Sequence, residues 1–335
     1  MDAHPDSPCK TALIFGISGQ DGAYLARLLL ADGYRVHGTS RDREMSGFAN
    51  LVQLGLKAQV GLHSAVLTDF RSVIEVIDRV RPDEIYNLAA QSSVGLSFDQ
   101  PAETVNGCLI GTLNILEAIR FLKLKTRFYS AASSECYGNT GATPADETTP
   151  FHPRSPYGVG KAAAFWAVAN YREAYGLFAC SGILFNHESP LRPARYVTQK
   201  VVRGAADIAD KKRDRLILGA LDVARDWGWA PDYVEAMARM LRHDRPEDFV
   251  IATGETHTLE AFVAEVFAQF GLNWRDHVDS DRALLRPSDI SYSAGNPEKA
   301  HRLLNWRAEA RMPQIVAQLV AAEIARRRSP DPSGG

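Results

Sequence analysis

A glycine-rich turn close to the amino end does most to limit the folds open to this chain. The apolar run TALIF at residues 11–15 predicts a buried strand, and residues 21–31 predict a helix with one apolar face that ends before Gly33. Between them, Gly16, Gly19 and Gly22 form a GxxGxxG motif. Glycines at this spacing permit a tight turn, close approach of the backbone to a pyrophosphate and close packing of the helix on the strand. The motif therefore predicts a dinucleotide site on an α/β sheet.

Alternating strands and helices continue to about residue 185. Further strands are predicted at residues 35–39, 63–67, 84–88, 126–131 and 178–185, and further helices at residues 73–81, 104–122 and 157–175. Such alternation indicates βαβ units, which build a mostly parallel, doubly wound sheet with right-handed crossovers. We therefore predict an α/β fold of the Rossmann type, with a dinucleotide-binding domain over residues 10–186.

The pattern changes after Asn186. Residues 187–195 predict a loop, residues 197–210, 232–241 and 258–270 predict helices, and residues 216–218 predict a short strand. Neither a repeat nor a Gly/Ser-rich linker separates the two parts. We expect a smaller, interwoven substrate lobe over residues 187–325, with some segments returning to the first domain. Residues 326–335 (RRRSPDPSGG) predict a flexible tail.

Composition limits the partners of this chain. Lys and Arg number 38 against 40 Asp and Glu, a formal net charge of −2, which gives no electrostatic case for a nucleic-acid or membrane partner. The first ten residues have no apolar core, and no run is long enough for a membrane helix. The four cysteines, Cys9, Cys108, Cys136 and Cys180, lack metal or disulfide spacing. We expect a cytoplasmic protein without a metal site.

The end of the second predicted strand bears on the choice of nicotinamide cofactor. An acidic residue there would bind the ribose 2′-hydroxyl of NAD, whereas an arginine favours the 2′-phosphate of NADP. Ser40 and Arg41 suit a phosphate, and Asp42 could compete. The sequence favours NADP and leaves NAD open.

Three residues form a candidate proton-transfer set. Tyr157 and Lys161 are four residues apart on one predicted helix, so their side chains share a face. A lysine ammonium near the phenol, together with the positive nicotinamide, would lower the pKa of Tyr157 and make it a usable base. Ser133 follows a predicted strand at the carboxyl end, where doubly wound sheets bind ligands. The set predicts redox chemistry on an alcohol or ketone.

With these motifs in place, the chain resembles the extended short-chain dehydrogenase/reductase family of nucleotide-sugar enzymes over residues 10–312, and within it the GDP-mannose 4,6-dehydratases. The resemblance rests on six segments: GISGQDGAYL, PDEIYNLAAQS, TRFYSAASSECYG, TPFHPRSPYGVGK, YREAYGLFACSGILFNHESP and RDWGWAPDYV. It implies a lyase that oxidises C4 of the sugar, eliminates water across C5 and C6 and returns the hydride to C6.

Glu135 distinguishes the expected dehydratase from the alternative functions. The family's dehydratases carry Thr/Ser-x-Glu where its epimerases and reductases lack the acid, and here Ser133, Ser134 and Glu135 match. The resemblance makes Glu135 the residue that removes the C5 proton. Two alternative functions remain: a C4 reductase or epimerase that does not dehydrate, and a sugar-nucleotide sensor without catalysis. The purely structural interpretation is that Glu135 is a solvated loop residue without a catalytic role.

The resemblance also implies the binding residues. Catalysis falls to Ser133, Glu135, Tyr157 and Lys161. The expected cofactor-binding residues are Gly16, Ser18, Gly19, Gln20, Asp21, Gly22, Ser40, Arg41, Leu88, Ala89, Ala90, Tyr157 and Lys161. The expected substrate-binding residues are Ser92, Ser134, Asn186, Lys200, Arg225, Arg286 and Asp289. Helices 104–122 and 157–175 would pair in a homodimer, or within a homotetramer.

The chain departs from the family pattern around the nucleotide and the sugar. Val66 replaces the aspartate that reads the adenine, and Pro193, Gln199 and Ala220 replace a glycine, an arginine and an asparagine. The expected substrate is therefore GDP-D-mannose, with a GDP-heptose or another nucleotide-linked hexose as the alternative.

Overall fold

A computed structural model describes residues 9–281, 284 and 287–328. The strands are β1 (Thr11–Phe15), β2 (Arg35–Ser40), β3 (Gly61–Ser64), β4 (Glu84–Asn87), β5 (Arg127–Ser133), β6 (Ala179–Leu184), β7 (Asn186–Glu188), β8 (Leu216–Leu218), β9 (Ala224–Trp229), β10 (Phe249–Ile251), β11 (Thr256–Thr258), β12 (Val278–Ser280) and β13 (Tyr292–Ser293). The helices are α1 (Gln20–Ala31), α2 (Ala49–Gln53), α3 (Phe70–Val80), α4 (Val94–Asp99), α5 (Pro101–Phe121), α6 (Pro156–Tyr175), α7 (Val197–Ala209), α8 (Ala230–Arg242), α9 (Leu259–Gln269), α10 (Glu298–Leu304) and α11 (Met312–Arg328). Among these described helices, none combines the length and apolar character needed to cross a membrane.

The central sheet has seven parallel strands in the order β10-β6-β5-β4-β1-β2-β3. Ala12 and Ile14 of β1 pack into the core beneath α1 and α8, whereas Leu13 and Phe15 pack against α3 and α5 on the other face. Because helices cover both faces, β1 is an unbroken apolar run. The chain order reverses direction between β1 and β4, which is where such sheets bind nucleotides. The predicted α/β doubly wound fold is confirmed.

A smaller lobe stands at the carboxyl ends of these strands. Strand β9 is paired with β7, β11 and β13, and β8 is paired with β12. A separate apolar core lies beneath α7, α9 and α11, with Val201, Phe262 and Ile315 fully buried in it. Strand β10 and helix α8 belong to the same stretch of sequence but pack on the central sheet. The two cores are therefore interleaved along the chain.

Several boundaries differ from the sequence-based prediction. Helix α5 begins at Pro101 rather than at residue 104, and strand β5 ends at Ser133 rather than at residue 131. Strand β3 begins at Gly61 and ends at Ser64, whereas residues 63–67 were expected, and its register is set by pairing with β2, in which Gly61 lies opposite His37. The predicted loop 187–195 begins within β7, which pairs with β9. Short strands of this kind are stabilised by distant partners, and a local pattern carries no information about those partners.

The predicted flexible tail is wrong for its first three residues. Helix α11 continues to Arg328, and the Arg327 guanidinium bonds to Asp207, Asp210 and Glu323 at 2.7 Å each. These contacts tie the last turn of α11 to α7. The remainder of that predicted tail, residues 329–335, lies outside the described residues.

Candidate active site

A cleft of about 1460 Å³ runs along the carboxyl ends of the central strands, between the sheet and the smaller lobe. It brings together every predicted site residue that the structure describes: Gly16, Ser18, Gly19, Gln20, Asp21, Gly22, Ser40, Arg41, Leu88, Ala89, Ala90, Ser92, Ser133, Ser134, Glu135, Tyr157, Lys161, Asn186, Lys200, Arg225 and Asp289. The predicted Arg286 lies outside the described residues. One continuous cleft therefore holds both the dinucleotide turn and the candidate catalytic residues.

The glycine turn has no room for side chains. Gly16 has φ +86°, and a Cβ there would lie 2.9 Å from the backbone of Ala89. A Cβ on Gly22 would lie 2.4 Å from the Gly16 carbonyl oxygen. The Gly19 N–H donates to that same oxygen at 3.0 Å, and no side chain caps the start of α1. The uncapped N-terminus of α1, which lies at the cleft, suits a pyrophosphate.

Gln20 and Asp21 connect the two lobes through side-chain contacts. Asp21 Oδ2 lies 2.9 Å from His187 Nε2, and the Ser189 hydroxyl donates to Gln20 Oε1 at 2.7 Å. Burial opposes both charges, yet the ion pair lowers the pKa of Asp21 and raises that of His187. The side chains predicted to touch the cofactor thus also hold β7 and the loop after it against α1.

The loop after β2 leaves one arginine unpaired. Asp42 Oδ1 accepts the backbone N–H groups of Glu44 at 2.9 Å and Met45 at 3.1 Å, so this carboxylate stabilises its own turn. Arg43 pairs with Glu44 at 2.8 Å. Arg41 is exposed at the cleft and has no ion-pair partner within the described chain.

The catalytic candidates come from β5 and α6. The Ser155 hydroxyl caps α6 by accepting the Gly158 N–H at 3.1 Å, and this cap fixes where the helix carrying Tyr157 and Lys161 begins. Ser133, the last residue of β5, lies beside Tyr157, and its hydroxyl opposes the burial that raises the pKa of the phenol. Lys161 Nζ donates to the Ala131 carbonyl at 2.7 Å.

Burial governs the pKa of Tyr157 in the protein alone. It raises that pKa well above the ordinary value of 10.0, and the neighbouring Ser133 hydroxyl opposes the rise. The Lys161 ammonium is engaged by the Ala131 carbonyl and lies 5.8 Å from the centre of the Tyr157 ring. The expected lowering of this pKa requires the positive nicotinamide as well as the lysine, so it stays a prediction.

Glu135 lies on a short helical turn directly after β5, half-buried at the cleft. Its backbone N–H donates to the Ser133 hydroxyl at 3.3 Å. Helix α6 packs so closely that a Cβ on Gly158 would lie 2.7 Å from the Glu135 carbonyl oxygen. A glycine at this position therefore brings Glu135 and Tyr157 to the same end of the cleft.

Most of the predicted substrate residues line the half of the cleft formed by the smaller lobe, whereas Ser92 and Ser134 lie on the side of the central sheet. Lys200 Nζ donates to the Ile217 carbonyl at 2.7 Å, and Arg225 pairs with Asp289 at 3.4 Å. Asn186 is the first residue of β7. Cationic side chains gathered at one end of a cleft suit a diphosphate. Among the described residues, no group of three or more His, Cys, Asp or Glu side chains is arranged to hold a metal ion.

Sequence reasoning missed two residues that line the cleft, Arg192 and Tyr196. The Arg192 guanidinium lies 3.8 Å from the centre of the Tyr196 ring, and its Nε lies 3.6 Å from Glu188. The Tyr196 hydroxyl is 2.7 Å from the Ser92 hydroxyl. Arginines concentrated in a loop that follows a central strand were the signal that could have identified this segment.

Comparisons with known proteins agree with this geometry. A sequence model of the family described as "GDP-mannose 4,6 dehydratase" matches residues 13–319. The chain is 45% identical over 327 residues to GDP-mannose 4,6 dehydratase 2 of Arabidopsis thaliana, covering 95% of this chain and 87% of that protein.

Solved structures share the fold at lower identity. DesIV, a dTDP-glucose 4,6-dehydratase from Streptomyces venezuelae solved with NAD and TYD bound, superposes with a TM-score of 0.83 at 21% identity, covering 95% of this chain and 98% of that one. RMD from Pseudomonas aeruginosa, complexed with NADPH, gives 0.78 at 22% identity, covering 95% and 99%. These likenesses establish the architecture.

Replacing Gly22 by alanine is expected to weaken binding of the nicotinamide dinucleotide by more than about tenfold, because the new Cβ would push apart the turn and the helix start. Fluorescence titration with NADH and with NADPH measures the effect. Gly47→Ala is the matched control, since a Cβ there meets nothing within 4 Å. Equal affinity in both variants would contradict the role assigned to the turn.

Asp21→Asn is expected to lower the free energy of unfolding by about 1.5–3 kcal/mol near pH 6, where the charged pair is intact. The raised pKa of His187 means that its contribution is present at lower pH and is lost as the pH rises through the folded-state value. The difference between wild type and variant should therefore shrink towards about pH 9. Urea unfolding across this range measures it, and a difference that grows with pH would refute the pairing.

Proposed function

The chain belongs to the GDP-mannose 4,6-dehydratase family, and from that premise we propose that it converts GDP-D-mannose to GDP-4-keto-6-deoxy-D-mannose. The observation that carries this proposal is the placement of Glu135 at the same end of the cleft as Ser133 and Tyr157, through the close approach of Gly158 to the Glu135 carbonyl. A reductase needs only the tyrosine, serine and lysine. An acid–base residue next to them supplies what elimination of water requires.

The first step is proton removal from the C4 hydroxyl by Tyr157. The Ser133 hydroxyl, beside Tyr157, would bridge the substrate oxygen and the phenol and so offer a path for the proton. A bound nicotinamide would supply hydride transfer from C4 and back to C6, and its positive ring would oppose the burial that raises the pKa of Tyr157. Lys161 supports the same deprotonation from the next turn of α6.

The second step is elimination. The C4 ketone acidifies the proton on C5, and Glu135 removes it from its half-buried position on the turn after β5. The same carboxyl group then delivers a proton to the C6 hydroxyl, which leaves as water. Because the carboxylate that removes the C5 proton becomes the acid that protonates the leaving hydroxyl, elimination needs no second acid–base residue.

We place NADP in the cofactor site. Arg41 has no ion-pair partner within the described chain, while Asp42 is occupied by two backbone N–H groups of its own turn. A free guanidinium favours a 2′-phosphate, and an acidic residue already bonded is a poor partner for a 2′-hydroxyl. NAD is the alternative.

Arg41→Ala is expected to reduce the preference for NADPH over NADH by roughly 10- to 100-fold, the loss of one charge-assisted contact. Titration of both cofactors by fluorescence gives the ratio. Arg43→Ala is the control, because that side chain already pairs with Glu44. An unchanged ratio in Arg41→Ala would assign the preference elsewhere.

A related nucleotide sugar is the second candidate substrate. Gln199, at a position where the family pattern has an arginine, is buried and donates to the Ser189 carbonyl at 3.0 Å. This amide supplies no charge to a diphosphate, so Lys200 and Arg225 carry more of that task. The same chemistry on a GDP-heptose or another nucleotide-linked hexose fits this change.

We further propose a cytoplasmic homodimer, or a homotetramer built from such dimers, that forms through α5 and α6. Large apolar side chains are exposed on these helices: Ile110 and Phe121 on α5, and Val159 and Trp166 on α6. Trp166 is 62% exposed, which favours an apolar partner surface.

The direct test incubates the purified protein with GDP-mannose and a trace of NADP and follows the mass of the sugar nucleotide. A product lighter by one water supports the proposal. If no product forms while NADPH still binds, GDP-mannose is the wrong substrate and other nucleotide sugars are screened. A C4-oxidised, reduced or epimerised product without loss of water would favour the redox alternative.

Glu135→Gln is expected to lower kcat for water loss by roughly 10²- to 10⁴-fold, since the amide can neither take nor give the proton. Mass spectrometry of the product measures the rate. Glu75→Gln, on the exposed face of α3, is the matched control because its only described ion pair is with Arg71. Full activity in Glu135→Gln would overturn the elimination role.

A further inference from the structure

A hydrogen bond between two hydroxyl groups crosses the cleft. Ser92 Oγ and Tyr196 OH are 2.7 Å apart. Ser92 belongs to the loop between β4 and α4, on the side of the central sheet, whereas Tyr196 immediately precedes α7 of the smaller lobe. Both residues line the cleft, and Ser92 is exposed. The bond therefore connects the two walls at the mouth of the site.

The Tyr196 ring is held in place from its own side of the cleft. The Arg192 guanidinium stacks 3.8 Å from the ring centre, a distance typical of a strong cation–π contact. Arg192 is in turn positioned by Glu188 at 3.6 Å, and Glu188 accepts the Thr198 hydroxyl at 2.6 Å. These contacts orient the phenol towards Ser92 within the loop that carries it.

The loop that carries Tyr196 is anchored at its base and exposed at its tip. The Ser189 hydroxyl donates to Gln20 on α1 and accepts the Leu191 N–H at 3.1 Å. Pro193 and Arg195 at the tip are exposed. Such a loop can swing its tip while its base stays fixed.

The bridge lies in the same cleft as the candidate catalytic residues. Tyr157 and Tyr196 both line this cleft, as do Arg192 and Glu188. The residues that support the bridge therefore belong to the site in which the sugar is proposed to react.

We propose that Tyr196 is a positioning residue that closes the cleft over the sugar by bonding to Ser92. The inference rests on the proposed function, because a 4,6-dehydratase must retain an oxidised sugar between two hydride transfers. The Ser92–Tyr196 bond opens to admit the nucleotide sugar and re-forms behind it. Water and exchange with solvent are then excluded until the hydride has returned.

Escape of the oxidised sugar past an open Ser92–Tyr196 bond, which we call a leak, has a defined chemical signature. If the sugar leaves after C4 has given up its hydride, it departs as a ketone that is oxidised by two electrons. NADP on the protein is then left as NADPH, with the hydroxyl proton released to solvent. Each escape therefore leaves one reduced cofactor, and the protein stalls until NADP replaces it.

Tyr196→Phe tests the bridge, since it removes the hydroxyl and leaves the ring against Arg192. We expect reduced nicotinamide to accumulate roughly 3- to 10-fold faster per turnover, and activity to recover on addition of NADP, as the loss of one hydrogen bond predicts. Absorbance of NADPH during turnover of GDP-mannose measures the leak. Bound NADPH should also dissociate faster by a similar factor in stopped-flow fluorescence.

The control variants distinguish loss of the Ser92–Tyr196 bond from a general destabilisation of the protein. Tyr175→Phe removes an exposed hydroxyl at the end of α6 and should match wild type. Ser92→Ala should reproduce Tyr196→Phe, and the double variant should leak no more than either single variant. If the effects of the two substitutions multiply in the double variant, the proposal is overturned. It is also overturned if Tyr196→Phe leaks and releases NADPH at the wild-type rates. If wild type does not convert GDP-mannose, the proposed function fails, and NADPH dissociation alone decides the role of Tyr196.

Discussion

The buried contact between the first turn of α1 and the segment after β6 holds the active site together. Asp21 with His187, and Gln20 with Ser189, join the glycine turn to the smaller lobe. These bonds set the distance between the two walls of the cleft. The phosphate-binding turn, the catalytic residues and the cationic end of the site therefore keep one relative arrangement.

Catalysis depends on a second close approach, between α6 and the turn after β5. Only a glycine at position 158 allows the Glu135 carbonyl to approach the helix that carries Tyr157. The Ser155 cap fixes where that helix begins, so Tyr157 and Lys161 project from its first two turns. Glu135 and Tyr157, the proposed acid–base and redox residues, thus share one site because two backbones are in contact.

The local motifs predicted the glycine turn, the strand and helix alternation and the Tyr157–Lys161 spacing, since each depends on neighbouring residues alone. Strand β9 was missed, because its buried Asp226 accepts the backbone N–H groups of Thr253 and Gly254, which no local pattern contains. Burial, which raises the pKa of Tyr157 in the protein alone, is likewise set by the whole fold and not by neighbouring residues. Arg192 and Tyr196 gain their significance only through contacts across the cleft.

The single cleft also bears on how the reaction relates to metabolism. Because the dinucleotide turn and the sugar end share one enclosed space, the same hydride that leaves one carbon is at hand for another. The two electrons of the hydride leave the sugar and return to it within each catalytic cycle. Net consumption of nicotinamide per completed cycle is then zero, and the flux through such a protein responds to the supply of sugar nucleotide.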